Sequence, residues 1–261
     1  MSVLLCVVEY VFGVTQLHDV VYIVSALSST IRLFNATTHQ RLTDINVKGL
    51  KNPYDIAGCE GTSHVYVADN CECVWRVSSD GHDMKRCWTK SPSDTITPRT
   101  LSVTSSQLLV TSRDTKQLMQ FDVAGEELRR VELPSHMKPY HAMESPTKTF
   151  IVSHENTELK QSQVSELNTE GQVLRQFSGS RLSPLGFTPH IAIDSKGNIS
   201  VADNHKGRIW LLDAQLALRR VIIDEHQLKD EQPWRLCYKE QSGQLMVGLG
   251  SGVAVFDVLK R

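Results

Sequence analysis

Residues Thr188–Asp213, TPHIAIDSKGNISVADNHKGRIWLLD, constrain the fold more than any other stretch of the chain. They read as three short strands. IAID is apolar with one polar exit, and ISVAD and RIWLLD each alternate. The two turns between them, DSKGN and DNHKG, are built from Asp, Asn, Lys and Gly, with Gly where a positive φ is needed. Alternation broken every few residues by such turns is the pattern of an antiparallel meander. A meander this short cannot bury its own faces, so the stretch demands copies of itself.

The copies are present. Prolines 53, 98, 139, 189 and 233 recur at intervals of 45, 41, 50 and 44 residues, each just ahead of an apolar run. Proline fits there because the position needs no ladder N–H. Residues 52–90 repeat the pattern with VYVADN and an Asp-Gly turn. LLVTSRD and QLMQFDVAG belong to a third unit, TFIVSHEN and QVSELNTEG to a fourth, and QLMVGLGSG and VAVFDVLKR to a sixth. The unit boundaries fall near 11–48, 51–92, 97–137, 138–182, 185–230 and 232–261. The first unit lacks its proline and the last lacks a fourth strand. The remaining N-terminal segment, residues 2–8, supplies that strand and removes the open seam that would leave unpaired backbone. The expected fold is all-β: one six-bladed β-propeller domain over 1–261, with four antiparallel strands per blade. The longest irregular stretch is expected at Ser91–Ile96, Val221–Asp230 and Ser180–Leu185 are longer connections between blades, and Leu218–Asp230 has room for a helical turn.

The proline, acidic Gly-turn, VAD strand and RI strand resemble the NHL repeat, and the whole is similar to the NHL domain of tripartite-motif proteins. The resemblance covers nearly the whole chain and is sharpest in the second and fifth units. It implies a module that recruits a partner. The RING, B-box and coiled-coil modules that precede such propellers in relatives are not visible here, so ubiquitin-ligase activity does not carry over.

The 261 residues are 40% hydrophobic, with a formal net charge of −1. No global field draws the chain to nucleic acid or an anionic membrane. The apolar start MSVLLCVVEYVFGV has no basic flank and is too short to span a bilayer, so it reads as a strand and not a signal peptide. Six cysteines at this length do not make a disulfide scaffold, and the expected location is cytoplasmic. An isolated domain of this kind is expected to be monomeric.

In a propeller the start of each first strand and the turn after each second strand share one face, where binding residues concentrate. The first ring offers Asp55, Thr100, His141, His190 and Arg235, with Val11 as the counterpart in blade 1. Tyr54, Arg99, Tyr140 and Trp234 are their neighbours. The turns add Asp69, Arg113, Lys116, His154, Glu155, Asp203, Asn204, His205 and Lys206. The candidate binding set is Tyr54, Asp55, Arg99, Arg113, Tyr140, His141, His154, His190, Asn204, His205, Trp234 and Arg235. An ordinary hydrated channel mouth has much the same composition.

His141 and His190 sit on adjacent blades and point at one axis. TPHIAID resembles the Pro-His motif of NHL-like lyases that hold a channel metal, but zinc needs at least three protein ligands. No cofactor or metal is assigned, with these two histidines as the candidates were there one. A Ca²⁺ cage has only Asp55, Asp203 and Asn204 to draw on. RNA is the alternative partner, as it is for some NHL domains, yet the basic residues of this face are balanced by acids. The preferred reading is therefore a non-enzymatic scaffold that docks a protein or peptide through its Tyr, Trp and Arg side chains. A metal-dependent lyase- or hydrolase-like propeller comes third.

Cys73 and Cys87 are equidistant from Asp80 and are candidates for a cross-strand disulfide. Cys59 and Cys237 read as first-strand core residues. Trp75, Trp210, Phe34, Phe121 and Phe256 recur on third strands and read as packing between blades. Arg129-Arg130 and Arg219-Arg220 read as charge on outer strands.

Overall fold

Six antiparallel sheets of four strands each stand radially around one axis in the computed structural model. It describes residues 3–6, 10–71, 73–89, 97–104, 106–112, 115–180, 183–187, 190–240 and 242–258. Arg113, Glu72, Asp114, Pro189 and the connection 91–96 lie outside this set. Each blade runs outward in sequence order. The innermost strands are Val11–Leu17, Pro53–Cys59, Thr100–Val103, Met137–Glu144, Ile191–Ile193 and Arg235–Lys239, and neighbours among them pack in a closed circle. Blade 6 takes its outer strand from the other end of the chain. Val3–Cys6 pairs antiparallel with Gly252–Val255, from Val3 opposite Val255 to Cys6 opposite Gly252.

Alternation along the strands gives every blade two apolar faces, and six separate hydrophobic clusters fill the six blade-to-blade gaps. Third-strand aromatics sit in them as expected: Phe34, Trp75, Phe121, Trp210 and Phe256 are all buried. The paired arginines are on the outer strands Glu127–Glu132 and Leu218–Ile223. Arg130 bonds Glu127 and Arg219 reaches Asp213. In the DSKGN turn Gly197 has φ +81°, the left-handed conformation that favours glycine. The segment after Ile223 forms turns and no helix. No helix among the described residues is long and apolar enough to cross a membrane.

The VAD aspartates are internal fasteners. Asp69 is buried and accepts N–H bonds from Lys51 (3.1 Å), Asn52 (3.1 Å) and Cys71 (3.0 Å), as well as from the Trp75 indole (3.4 Å). Asp203 takes the Trp210 indole N–H at 3.0 Å. One carboxylate thus ties the incoming linker, the turn and the third-strand aromatic of its blade. The next residue continues the pattern: the Asn70 and Asn204 N–H groups bond Asn52 O and Phe187 O.

The expected disulfide is not formed. The hairpin register, Val77 opposite Met84, is centred half a residue beyond Asp80 and would set Cys87 against Val74; a β-bulge between Val74 and Trp75 moves it one further, so Cys73 faces Thr89 and Cys87 has no partner across the ladder. Cys73, Cys87 and Cys237 are free thiols.

Removing the Asp69 carboxylate strands several buried N–H donors at once. Asp69→Ala is expected to lower the unfolding free energy in urea by about 3 kcal/mol, the scale of hydrogen bonds to a charged acceptor. Asp69→Asn, which keeps one acceptor oxygen, should lose less.

Candidate functional site

The site is built by a bulge repeated in three blades. Pro53 pairs with Asp69 and Asp55 with Ala68, leaving Tyr54 out of the ladder. Tyr140 is passed over between Pro139 and His141, and Phe12 between Val11 and Gly13. A bulge reverses the inward–outward alternation locally. It separates the aromatic residue, on the upper face, from the polar one on the axis. By this register the blade 1 counterpart of Asp55 is Gly13 and not Val11. A Cβ on Gly13 would come within 2.9 Å of the Asp55 Cα and 2.7 Å of the Ile56 nitrogen, so only glycine admits the neighbouring strand so closely.

The axial ring is closed to solvent. Asp55, Thr100, His141, His190 and Arg235 are all buried. Each side chain bonds the backbone of another blade. The Leu101 N–H donates to Asp55 Oδ2 at 2.9 Å, joining blades 2 and 3. Thr100 Oγ1 donates to Tyr140 O at 2.8 Å, joining 3 and 4. The Ile191 N–H donates to His141 Nδ1 (3.4 Å) and the Leu236 N–H to His190 Nδ1 (3.3 Å), carrying the chain to blades 5 and 6. Arg235 donates to Tyr54 O at 2.9 Å, returning to blade 2. Blade 1 joins through the Gly58 N–H, which donates to Thr15 Oγ1 at 3.0 Å. Inside the ring the two imidazoles stack with centroids 3.6 Å apart. Asp55 lies 3.6 Å from His190 Nε2 and 3.5 Å from Arg235 Nε.

Asp55, His141 and His190 bring three ligand-type atoms within 4.8 Å of one another, a spacing that invites a divalent cation. The protons argue against one. Both Nδ1 atoms accept backbone N–H bonds, so each neutral ring carries its proton on Nε2, and His141 Nε2 donates it to Leu101 O at 3.3 Å. A metal-bound histidine ordinarily donates its second ring N–H; here both rings would have to be imidazolates. Both Asp55 oxygens are also occupied by backbone N–H groups. The donor set fits a structural plug.

Burial drives the protonation states. Desolvation holds His141 and His190 well below the usual imidazole range, and His190 and Arg235 add repulsion at the two rings respectively. Burial pushes the Asp55 carboxyl up, while Arg235, His141 and two backbone N–H groups pull it back.

The plug divides the axis. Below it a cavity of ≈ 130 Å³, lined mostly by apolar first-strand residues such as Ile56, Leu101, Met143 and Leu236, ends at His141 and His190. Above it Tyr54, Arg99, Thr100, Pro139, Tyr140, Phe187, Trp234 and Arg235 form a cup. Asp55 lines neither space. The Arg99 guanidinium lies 4.6 Å from the Tyr54 ring centroid, and the buried Arg235 5.1 Å. Phe187 stands edge-on to Tyr140 (4.8 Å) and to Trp234 (6.0 Å). Tyr140 Oη donates to Glu155.

The candidate residues therefore divide. Tyr54, Arg99, Tyr140 and Trp234 form the cup, and Asp55, His141, His190 and Arg235 form the plug, of which Arg235 also floors the cup. His154 is buried inside blade 4 against Ser165 Oγ (2.8 Å), with burial lowering it to about 4. Asn204 is buried and donates to Pro233 O at 3.2 Å. His205 is exposed at the rim, 6.1 Å from Phe187. Arg113 lies outside the described residues. Phe187 is the cup residue the repeat pattern misses, because it belongs to a linker and not to a strand. Its sequence signal is Gly186, where a Cβ would fall 2.6 Å from Asp203 Oδ1.

No protein-family model matches the chain, and no curated protein matches it in sequence. Solved structures do match in shape. A gluconolactonase from Xanthomonas campestris superposes with a TM-score of 0.76 at 11% identity, over 97% of this chain and 88% of that one. Virginiamycin B lyase from Staphylococcus aureus, an inactive variant with quinupristin, gives 0.69 at 12%, over 94% and 79%. A Bacteroides thetaiotaomicron protein of unknown function gives 0.72 at 16%, over 95% and 69%. The shared property at these identities is the propeller fold.

Neutral buried histidines make stability fall with acid. The unfolded chain takes up protons below about pH 6.5 that the folded His141, His190 and His154 refuse. Each contributes a loss of about 1.4 kcal/mol per pH unit below that point, ending near pH 4 for His154. Asp55, raised by burial, works in the opposite sense. Urea denaturation between pH 7.5 and 5.5 should show this slope, and His154→Gln should remove about one histidine's share.

Proposed function

We propose that the chain is a binding scaffold of the NHL propeller type, docking a protein or peptide in the upper cup. The observation that carries this reading is the separation of the cup from the axial polar groups. Every ring side chain is committed to another blade's backbone, which leaves the cup for recognition. Its Tyr, Trp, Phe and Arg are the residue types that dominate protein-interface energetics, and they stand on strand ends and fastened linkers. The NHL assignment draws support from the VAD turns of blades 2 and 5, which hold their linkers through Asp69, Asn70 and Asn204. Free thiols favour a reducing compartment such as the cytoplasm.

The test is partner binding by Trp234→Ala and Tyr140→Ala. Each is expected to weaken a peptide partner about tenfold or more, with a melting temperature near wild type. A partner sensitive to nuclease, with affinity falling steeply in salt, would instead favour RNA.

One observation favours an enzyme. His190 Nε2 faces Asp55 without a hydrogen-bond partner, and His190 borders the lower cavity of a fold shared with a lyase and a lactonase. On the scaffold reading, quinupristin and gluconolactone incubated with the protein stay intact by mass spectrometry. Turnover abolished by His190→Asn would favour the enzyme.

A further inference from the structure

Resting on the cup as the docking site, we propose that it reads a carboxylate on the bound peptide, with Arg99 as the reading residue and the aromatic wall holding an apolar neighbour. Three observations converge. The first is charge. No acid lines the cup, whereas two guanidiniums do. The second is how those guanidiniums are engaged. Arg235 donates from both terminal nitrogens to carbonyls, those of Trp234 and Tyr54, each at 2.9 Å. The Arg99 guanidinium only stacks on Tyr54 and meets no carboxylate among the described residues. Stacking occupies the face of the guanidinium and leaves its in-plane N–H fork for a bidentate acceptor.

The third observation is size. The enclosed part of the whole cup is ≈ 30 Å³, room for one or two waters and so for one small polar group such as a carboxylate in their place. Tyr140, Phe187 and Trp234 form the opposite wall. That arrangement fits an apolar side chain next to the acid. Acids that the sequence sets against this face are turned away from it: Asp55, Asp69 and Asp203 are all buried. Glu155 has its carboxylate on Tyr140 Oη. Among the described residues, then, the acids of this face stand outside the cup and the two guanidiniums inside it.

The experiment uses a displayed library of random peptides with free C-termini, selected against the wild-type chain and counter-selected against Trp234→Ala. The selected peptide is synthesised in four forms: unchanged, each acid replaced by its amide, C-terminally amidated, and both. Binding is read by fluorescence anisotropy. The expected result is a loss of about tenfold or more on removing one carboxylate, the scale of one charge-assisted hydrogen-bonded pair. Whether the side-chain or the terminal change causes the loss identifies the source. Arg99→Ala should show the same loss and no further loss with the neutral peptide, and Arg99→Lys should recover part of it. The salt dependence should be that of about one ion. Cup-dependent binding that ignores both carboxylates and Arg99 would overturn the inference and leave the docking reading standing. No selected peptide preferring wild type over Trp234→Ala would sink both. A melting temperature measured for each Arg99 variant separates lost contact from lost fold.

Discussion

The axis of this propeller is held by hydrogen bonds that pass from blade to blade. Apolar clusters fill the gaps between blades, but they are non-directional and leave the central backbone N–H and C=O groups to be satisfied where water is excluded. Side chains at one ring position do this, each meeting the backbone of a neighbouring inner strand. A buried donor or acceptor without a partner costs about 1–3 kcal/mol, so the ring residues are coupled. Gly13 matters as much as the polar members, since its missing Cβ lets the inner strand of blade 2 approach that of blade 1 at Asp55 and Ile56.

That arrangement decides which polar residues are sealed within the ring. Two histidines, an aspartate and an arginine around one point look like catalytic machinery when read as residue types. Their hydrogen bonds, tautomers and burial assign them to holding the ring. The bulge that turns Asp55 and His141 inward leaves the preceding Tyr54 and Tyr140 to the upper face. In blades 2 and 4 adjacent residues of one motif thus divide: proline to enter, an aromatic for the upper face, a polar side chain for the axis.

Much of the fold was legible in the chain itself. Five prolines in register, the VAD turns and the third-strand aromatics mark the blades. The blade left one strand short identifies the N-terminal segment as its missing edge, and the pairing of Val3–Cys6 with Gly252–Val255 bears this out. The site was legible only as a list. Position after a proline named Tyr54, Tyr140 and Trp234, but the same rule put Asp55, His141 and His190 in the binding set when they are sealed. Phe187 escaped because linkers carry no periodicity. The Cys73–Cys87 pairing failed because the hairpin is centred half a residue beyond Asp80 and a bulge adds one more residue of offset, neither of which is visible in the spacing of two cysteines.

Sequence alone determined the architecture, because alternation and turn chemistry are local and their repetition leaves few ways to bury six sheets. Only the tertiary structure decided which polar residues face solvent. That choice depends on which backbone groups from other blades arrive at the same point, and those blades lie 40 to 180 residues away along the chain.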